Sequence, residues 1–104
     1  MKSKVQEIIT SNKVLIFSKS WCPYCVEAKE ILAGAQVEAV SVELDKLSDG
    51  DDMQKALLDI TKQRTVPNIF IGGNHVGGCD DLKSKIRSGV VMELLDQAGV
   101  PYEI

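Results

Sequence analysis

Short segments with helical and strand-like spacing of apolar residues alternate along the 104-residue chain. Val5, Ile8 and Ile9 recur at the spacing of an amphipathic helix, whereas residues 14–17 form a continuous apolar run typical of a buried strand. Applied to the whole chain, the pattern predicts helices over about 4–10, 22–33, 51–62, 80–88 and 90–98, and strands over about 13–18, 37–44, 68–71 and 75–76.

Turn-forming and capping residues mark the boundaries between these elements. Gly34 closes the second helix, and Gly72-Gly73-Asn74 supplies the positive φ angles that a tight hairpin needs. The acidic pairs Asp51-Asp52 and Asp80-Asp81 are expected to cap the helices that follow them. The order α-β-α-β-α-β-β-α-α predicts one α/β domain over residues 1–104, with a four-stranded mixed sheet and helices on both faces.

Composition and charge exclude several classes of function. Twelve basic and fifteen acidic residues give a net charge of -3 without any basic run, so we expect no nucleic acid partner. No apolar stretch approaches the roughly 20 residues that span a bilayer, so we expect no membrane association. Because residues 1–7 lack the apolar core of a secretory signal, we expect a cytoplasmic protein, or an organellar one if a transit peptide has been removed.

The segment Cys22-Pro23-Tyr24-Cys25 carries the first candidate chemistry, at a predicted strand-to-helix junction. A helix N-terminus favours negative charge, and the thiolate is the reactive form of cysteine. Pro23 suits the first helical position, and Lys19 adds a nearby cation. Three helical residues rise only about 4.5 Å, which allows a disulfide between the two thiols. The segment therefore predicts a switchable dithiol.

The third cysteine, Cys79, leaves two questions open. A zinc site would need both thiols of the Cys-x-x-Cys segment together with His75 and Cys79, but a redox pair fits the odd cysteine count better, so we expect no metal. Cys79 itself, at a predicted helix start, is either a reactive thiol or a small space-filling residue.

Two further segments suggest a binding site. Pro67 cannot donate a hydrogen bond into the strand that follows it, and either a trans bond or a cis bond that exposes the Val66 main chain is compatible with this position. In residues 77–81, glycines and a helix N-terminus provide N–H groups for a carboxylate, and Asp80 or Asp81 provides a carboxylate for an ammonium group. An ordinary glycine turn with a helix cap would also account for the second segment.

Taken together, these segments resemble the dithiol class of the glutaredoxin family, and the resemblance extends over nearly the whole chain. The matching pieces are Lys19-Ser20-Trp21-Cys22-Pro23-Tyr24-Cys25, Gln63-Arg64-Thr65-Val66-Pro67-Asn68-Ile69-Phe70-Ile71 and Gly77-Gly78-Cys79-Asp80-Asp81-Leu82. The resemblance implies a thioredoxin-like fold, a cis bond before Pro67 and glutathione as the co-substrate.

The resemblance also implies roles for individual residues. Cys22 is the expected nucleophile and Cys25 the resolving thiol. Lys19 and Gln63 are expected to contact the glycine carboxylate of glutathione, and Val66 its cysteinyl main chain. The full set expected to bind glutathione comprises Lys19, Tyr24, Gln63, Thr65, Val66, Pro67, Gly78, Cys79, Asp80 and Asp81.

The implied function is glutathione-dependent reduction of protein disulfides and of mixed disulfides between proteins and glutathione, by a monomer that binds glutathione and these proteins. Two alternatives remain. One is a carrier of a [2Fe–2S] cluster held between two subunits, against which Pro23 argues because cluster-binding members more often have Gly or Ser there. The other is a thioredoxin, against which the Pro-Tyr pair between the cysteines argues.

Overall fold

The computed structural model describes every residue from Met1 to Ile104. Its four strands form one sheet in the order β2-β1-β3-β4, in which β1 and β2 are parallel and the other two pairs are antiparallel. This is the predicted mixed sheet. The strands are β1 (Val14–Ser18), β2 (Val40–Glu43), β3 (Asn68–Ile71) and β4 (Asn74–Gly77).

Five α-helices pack on the two faces of the sheet, as predicted. Helices α1 and α3 contribute to a core cluster on one face, and helices α2, α4 and α5 contribute to a second cluster on the other. None of the helices is long and apolar enough to cross a membrane. The helices are α1 (Lys2–Ser11), α2 (Pro23–Gly34), α3 (Gly50–Thr61), α4 (Cys79–Arg87) and α5 (Val90–Ala98), with a 3-10 turn over Leu44–Lys46.

Strand β1 lies between the two cores, which explains its unbroken apolar sequence. Val14 and Ile16 belong to the cluster shared with α2, α4 and α5, whereas Leu15 and Phe17 belong to the cluster shared with α1 and α3. Complete burial of each large side chain stabilises the fold by about 1.5–3 kcal/mol. The strand is therefore a fixed support for the loop that follows it.

The structure corrects two of the predicted element boundaries. Strand β2 begins at Val40 and not near Val37, whose N–H instead donates to Leu32 O at 2.9 Å in the turn that ends α2. Val37 is buried in the core from this turn, so its apolar character reflects burial and not strand pairing. Helix α3 begins at Gly50, with Asp49 as the N-cap residue, so Asp51 and Asp52 lie inside its first turn.

The start of α4 also differs from the prediction. Gly78 is the N-cap residue, and Asp81 caps the helix from its third position by accepting the Gly78 N–H at 2.9 Å. Asp80 lies in the first turn and is not a cap residue.

The topology brings the three predicted functional segments to one end of the sheet. Because β1 and β3 are antiparallel, the end of β1 at Phe17 lies opposite the start of β3 at Asn68. Because β3 and β4 are antiparallel, the end of β4 at Gly77 lies opposite Ile69. The start of α2, the loop before β3 and the start of α4 therefore converge.

Candidate active site

Cys22 is the N-cap residue of α2, as the sequence predicts. Its backbone is extended, and its Sγ accepts the N–H of Cys25 at 3.3 Å. Pro23 occupies the first position of the helix, where a missing N–H costs no intrahelical bond. Helix N-termini present unpaired N–H groups and a partial positive charge, so this sulfur lies where negative charge is favoured.

Cys25 lies one turn further into α2 and is fully buried. Burial raises the pKa of the Cys25 thiol, as does the hydrogen bond with the Cys22 side chain, and contacts with the Lys19 backbone and the Ser18 hydroxyl oppose this rise only in part. Cys22 retains about 5% exposure, whereas Cys25 retains none. The two thiols therefore differ in access, and the outer one is Cys22.

The loop before β3 contains a cis peptide bond between Val66 and Pro67, as the resemblance implies. The Val66 carbonyl oxygen lies 3.7 Å from the Cys22 Sγ. The Val66 N–H has no hydrogen-bond partner within the chain. The Val66 carbonyl is thus placed beside the outer thiol, and the N–H of the same residue is free.

The start of α4 forms the opposite wall. Gly77 has φ of +116°, and a Cβ at this position would lie 2.3 Å from Asp81 Oδ2, so the cap requires glycine here. Gly77 was not among the predicted site residues, although the adjacent glycines Gly77 and Gly78 mark this position in the sequence.

The two aspartates at the start of α4 differ in their partners. The Asp81 carboxylate already accepts the Gly78 N–H, whereas Asp80 is exposed and has no ion-pair partner within the chain. Asp80 is therefore the carboxylate that can receive an ammonium group.

A groove of about 340 Å³ runs between these walls. Eight of the ten residues expected to bind glutathione line it, and the two that do not are Lys19 and Gln63. A larger depression of about 780 Å³ lies at the other end of the sheet, near Val14 and Gly99, and contains no cysteine. The groove residues are Tyr24, Thr65, Val66, Pro67, Gly78, Cys79, Asp80 and Asp81.

Comparison with known proteins agrees with this arrangement. A family model described as Glutaredoxin matches residues 14–76. A glutaredoxin from Vernicia fordii is 48% identical over 96 residues, which cover 92% of each chain. The chain belongs to the glutaredoxin family. It is therefore a member of a family of thiol oxidoreductases.

Two further relatives extend the comparison. Glutaredoxin-C2 from Arabidopsis thaliana is 49% identical over 96 residues, covering 92% of this chain and 86% of that one. The crystal structure of a buckwheat glutaredoxin–glutathione complex superposes with a TM-score of 0.91 at 44% identity, covering 94% of this chain and 89% of that one. The fold of this glutaredoxin is thus thioredoxin-like.

The loop between β1 and α2 is held in this glutaredoxin by an acidic residue that sequence reasoning missed. The Ser20 N–H donates to Asp45 Oδ1 at 3.0 Å, and the Ser20 hydroxyl donates to Asp45 Oδ2. These bonds, the hydroxyl bond first, lower the pKa of Asp45. Asp45 follows β2, the parallel neighbour of β1, and loops that follow adjacent parallel strands meet at the same edge of a sheet. That topology is the signal that would have identified it.

Lys19 and Gln63 stand outside the groove for different reasons. The Lys19 Nζ lies 5.6 Å from the centroid of the Trp21 ring and forms no ion pair within the chain. The Gln63 Nε2 donates to Thr65 O at 3.0 Å and to Pro67 O at 2.9 Å. The Gln63 amide is therefore bound to the loop that carries Val66.

Cys79 lines the groove, but its thiol points at an acidic residue. Its Sγ lies 3.5 Å from Glu27 Oε1, which also pairs with Lys83 Nζ at 2.6 Å. Burial first, and then the Glu27 carboxylate, raise the pKa of Cys79 to about 11. The Cys79 thiol is therefore protonated at neutral pH, and of the two interpretations left open, the structure favours the unreactive one.

His75 does not join the cysteines. Its Nε2 lies 2.8 Å from Asn68 Oδ1 on β3, and burial lowers its pKa. No group of three or more potential metal ligands comes together anywhere in the chain. The arrangement that a zinc site would have needed is not formed by these residues.

Proposed function

We propose that this glutaredoxin is a glutathione-dependent thiol–disulfide oxidoreductase that reduces protein disulfides and the mixed disulfides of proteins with glutathione. One observation carries the proposal: the Cys22 sulfur caps α2 beside a groove whose far wall is the N-terminus of α4. The dithiol mechanism with Cys22 and Cys25 is part of the proposal.

The groove matches glutathione chemically. Glutathione is a tripeptide with two carboxylates and one ammonium group. The first-turn N–H groups of α4 and the Asp80 carboxylate are complementary to its γ-glutamyl end, which carries both charges. The Val66 N–H and carbonyl are available to an extended main chain. The buckwheat relative solved as a glutathione complex supports the same assignment.

The first half-reaction transfers glutathione to the protein. The Cys22 thiolate attacks the glutathione sulfur of a glutathionylated substrate, an S–S bond to Cys22 forms, and the substrate leaves as a thiolate that takes a proton from water. A second glutathione thiolate then attacks the glutathione sulfur bound to Cys22. Oxidised glutathione leaves, and Cys22 returns as the thiolate. This route needs no contribution from Cys25.

Protein disulfides use the second thiol. Attack by Cys22 leaves one substrate sulfur bound to it and releases the other. Cys25 then loses its proton, attacks the Cys22 sulfur and forms the Cys22–Cys25 disulfide, which frees the second substrate thiol. Two glutathione molecules reopen this disulfide. Since burial raises the pKa of Cys25, its attack is expected to accelerate as pH rises above neutrality.

An assay of single-cysteine variants tests the proposal. Turnover of a small glutathione mixed disulfide is measured with glutathione, glutathione reductase and NADPH. We expect Cys22→Ser to lose all turnover and Cys25→Ser to keep it, because only Cys22 is needed for this route. Equal loss in the two variants would contradict the assigned roles, and dependence on a flavoprotein thioredoxin reductase would indicate a thioredoxin. Visible absorbance in a dimer purified without oxygen would indicate a cluster carrier.

We further propose a reducing compartment, the cytoplasm, and a monomer that acts on glutathionylated and disulfide-containing proteins. An odd count of three cysteines, without a set of structural disulfides, suits such a compartment. The solvent-exposed rings of Trp21 and Tyr24 flank Cys22, where a protein substrate would approach.

A further inference from the structure

Two glutamine side chains donate hydrogen bonds to carbonyl groups close to the cis peptide bond. A glutamine amide has two N–H donors, and Gln63 uses both, on Thr65 O at 3.0 Å and on Pro67 O at 2.9 Å. Gln54, from α3, donates to Arg64 O at 2.7 Å. The carbonyls on either side of Val66 are therefore both engaged within the chain.

Gln63 is itself held in place from two directions. Its N–H donates to the Thr61 Oγ1 at 3.1 Å, at the end of α3. The same oxygen accepts from Asn68 Nδ2 at 3.2 Å, at the start of β3, and donates to Leu57 O at 2.8 Å. The position from which the Gln63 side chain reaches the loop is thus set by α3 and β3 together.

Val66 is the one residue of residues 64–67 that combines an unpaired N–H with a carbonyl that accepts no glutamine N–H. Its carbonyl lies 3.7 Å from the Cys22 Sγ, and its N–H has no partner within the chain. Its neighbours cannot substitute for it, because their carbonyls accept glutamine N–H groups and Pro67 has no N–H. The loop therefore presents a single residue that can offer both its N–H and its carbonyl to a ligand.

We propose that Gln63 is a positioning residue that holds the Val66 main chain in register with Cys22, and that it does not bind the glycine carboxylate of glutathione. The inference rests on the proposed glutathione-dependent function. A carboxylate only accepts hydrogen bonds, and Gln63 has no donor left unless it releases a loop carbonyl. The glycine carboxylate is then bound by Lys19 and Arg64, neither of which forms an ion pair within the chain.

Three probes of one thiol distinguish positioning from direct contact. In a Cys25→Ser background at pH 7, Cys22 is reacted in single turnover with oxidised glutathione, with the disulfide of glutathione amide, and with iodoacetamide. Glutathione amide lacks the negative charge of the glycine carboxylate. Iodoacetamide reports the reactivity of the sulfur without any peptide to position.

We expect Gln63→Met to slow the reaction of Cys22 with both glutathione disulfides by the same factor, about 10-fold, because two hydrogen bonds of ordinary strength are lost. Cys22 should prefer oxidised glutathione over the disulfide of glutathione amide by the same ratio as in the Cys25→Ser parent. Its rate of reaction with iodoacetamide should not change. Lys19→Met and Arg64→Met, in contrast, are expected to reduce that preference. Gln63→Ala should behave as Gln63→Met does, and Gln97→Met on α5 is the matched control without effect.

Each other outcome overturns the inference. A loss of preference for the acid in Gln63→Met would show that Gln63 contacts the carboxylate. Unchanged rates with both disulfides would show that the two carbonyl bonds do not position Val66. An equal loss with iodoacetamide would show general disorder of the site. If the parent itself reacts no faster with oxidised glutathione than with a simple dialkyl disulfide, the proposed function fails, and not this inference alone.

Discussion

Two helices of this glutaredoxin begin with a cysteine at the same end of the sheet, and the two thiols differ sharply. Cys22 caps α2 and accepts the N–H of Cys25. Cys79 occupies the first position of α4, and its sulfur lies 3.5 Å from Glu27 Oε1. Both residues are about 5% exposed, so residue exposure does not separate them.

The comparison shows that a helix N-terminus does not by itself activate a thiol. At the N-cap position a side chain can accept the free N–H groups of the first turn. The Cys79 sulfur, one position further into its helix, contacts Glu27 instead. Burial first, and then the Glu27 carboxylate, raise the pKa of Cys79, whereas no carboxylate is paired with Cys22. We therefore infer that position within the cap, burial and the neighbouring charge together distinguish the two helix starts.

The largest expected effect is in alkylation of these two thiols. At pH 7 a thiol with a pKa of about 11 is only about 0.01% ionised, roughly 300-fold less than a free cysteine. We therefore expect iodoacetamide to modify Cys22 rapidly and Cys79 at least about 100-fold more slowly, as measured by peptide mass spectrometry over time. Equal labelling of the two would remove the distinction between the helix starts. A urea-unfolded sample, in which Cys79 should react like a free thiol, is the control.

A smaller effect is expected where the α4 wall depends on glycine. In Gly77→Ala, the new Cβ would lie 2.3 Å from Asp81 Oδ2 at a φ of +116°, so the cap must move. We expect the free energy of unfolding to fall by about 1–3 kcal/mol, and the affinity for glutathione to weaken. Urea denaturation and single-turnover kinetics measure the two effects.

The control for this change is Gly73→Ala in the β3–β4 hairpin. Gly73 also has a positive φ, +80°, but no atom lies within 4 Å of the position of its Cβ. Loss of stability with unchanged glutathione reactivity is expected there. If both variants lost glutathione reactivity equally, the α4 cap would have no specific role in the groove.

The sequence predicts the elements well and their mutual contacts less well. The bounds of β3 and α5 agree with the prediction to the residue, because hairpin glycines and helix-ending glycines mark them locally. Val37 misled the prediction of β2, since an apolar residue buried from a turn has the same pattern as one in a strand. The local pattern of apolar residues predicts that a side chain is buried, but it does not show whether that residue belongs to a strand or to a turn.

The site shows the same limit. The motif around Cys22 and the loop at Pro67 predict the groove and the cis bond, since the resemblance spans both. The Glu27–Cys79 contact joins residues 52 positions apart, and the two carbonyls bound by Gln63 are chosen by loop geometry. Such contacts depend on how helices and loops are placed relative to one another, which no local pattern contains.

The smallest expected effect is an alkaline loss of stability that should depend on Cys79. Folding raises the pKa of Cys79 from about 9 to about 11, so the folded state retains the proton that the unfolded state releases. The stabilising contribution is complete below pH 9 and is lost as pH rises through 11. In urea denaturation between pH 8 and pH 11, the wild type should therefore lose more stability than Cys79→Ala, because Cys25 and the other alkaline groups titrate in both. Glu27→Gln should lie between them, since it removes one cause of the raised pKa and leaves burial. If the three curves fell in parallel, Cys79 would be as easily ionised in the fold as outside it, and the contrast with Cys22 would have to rest on geometry alone.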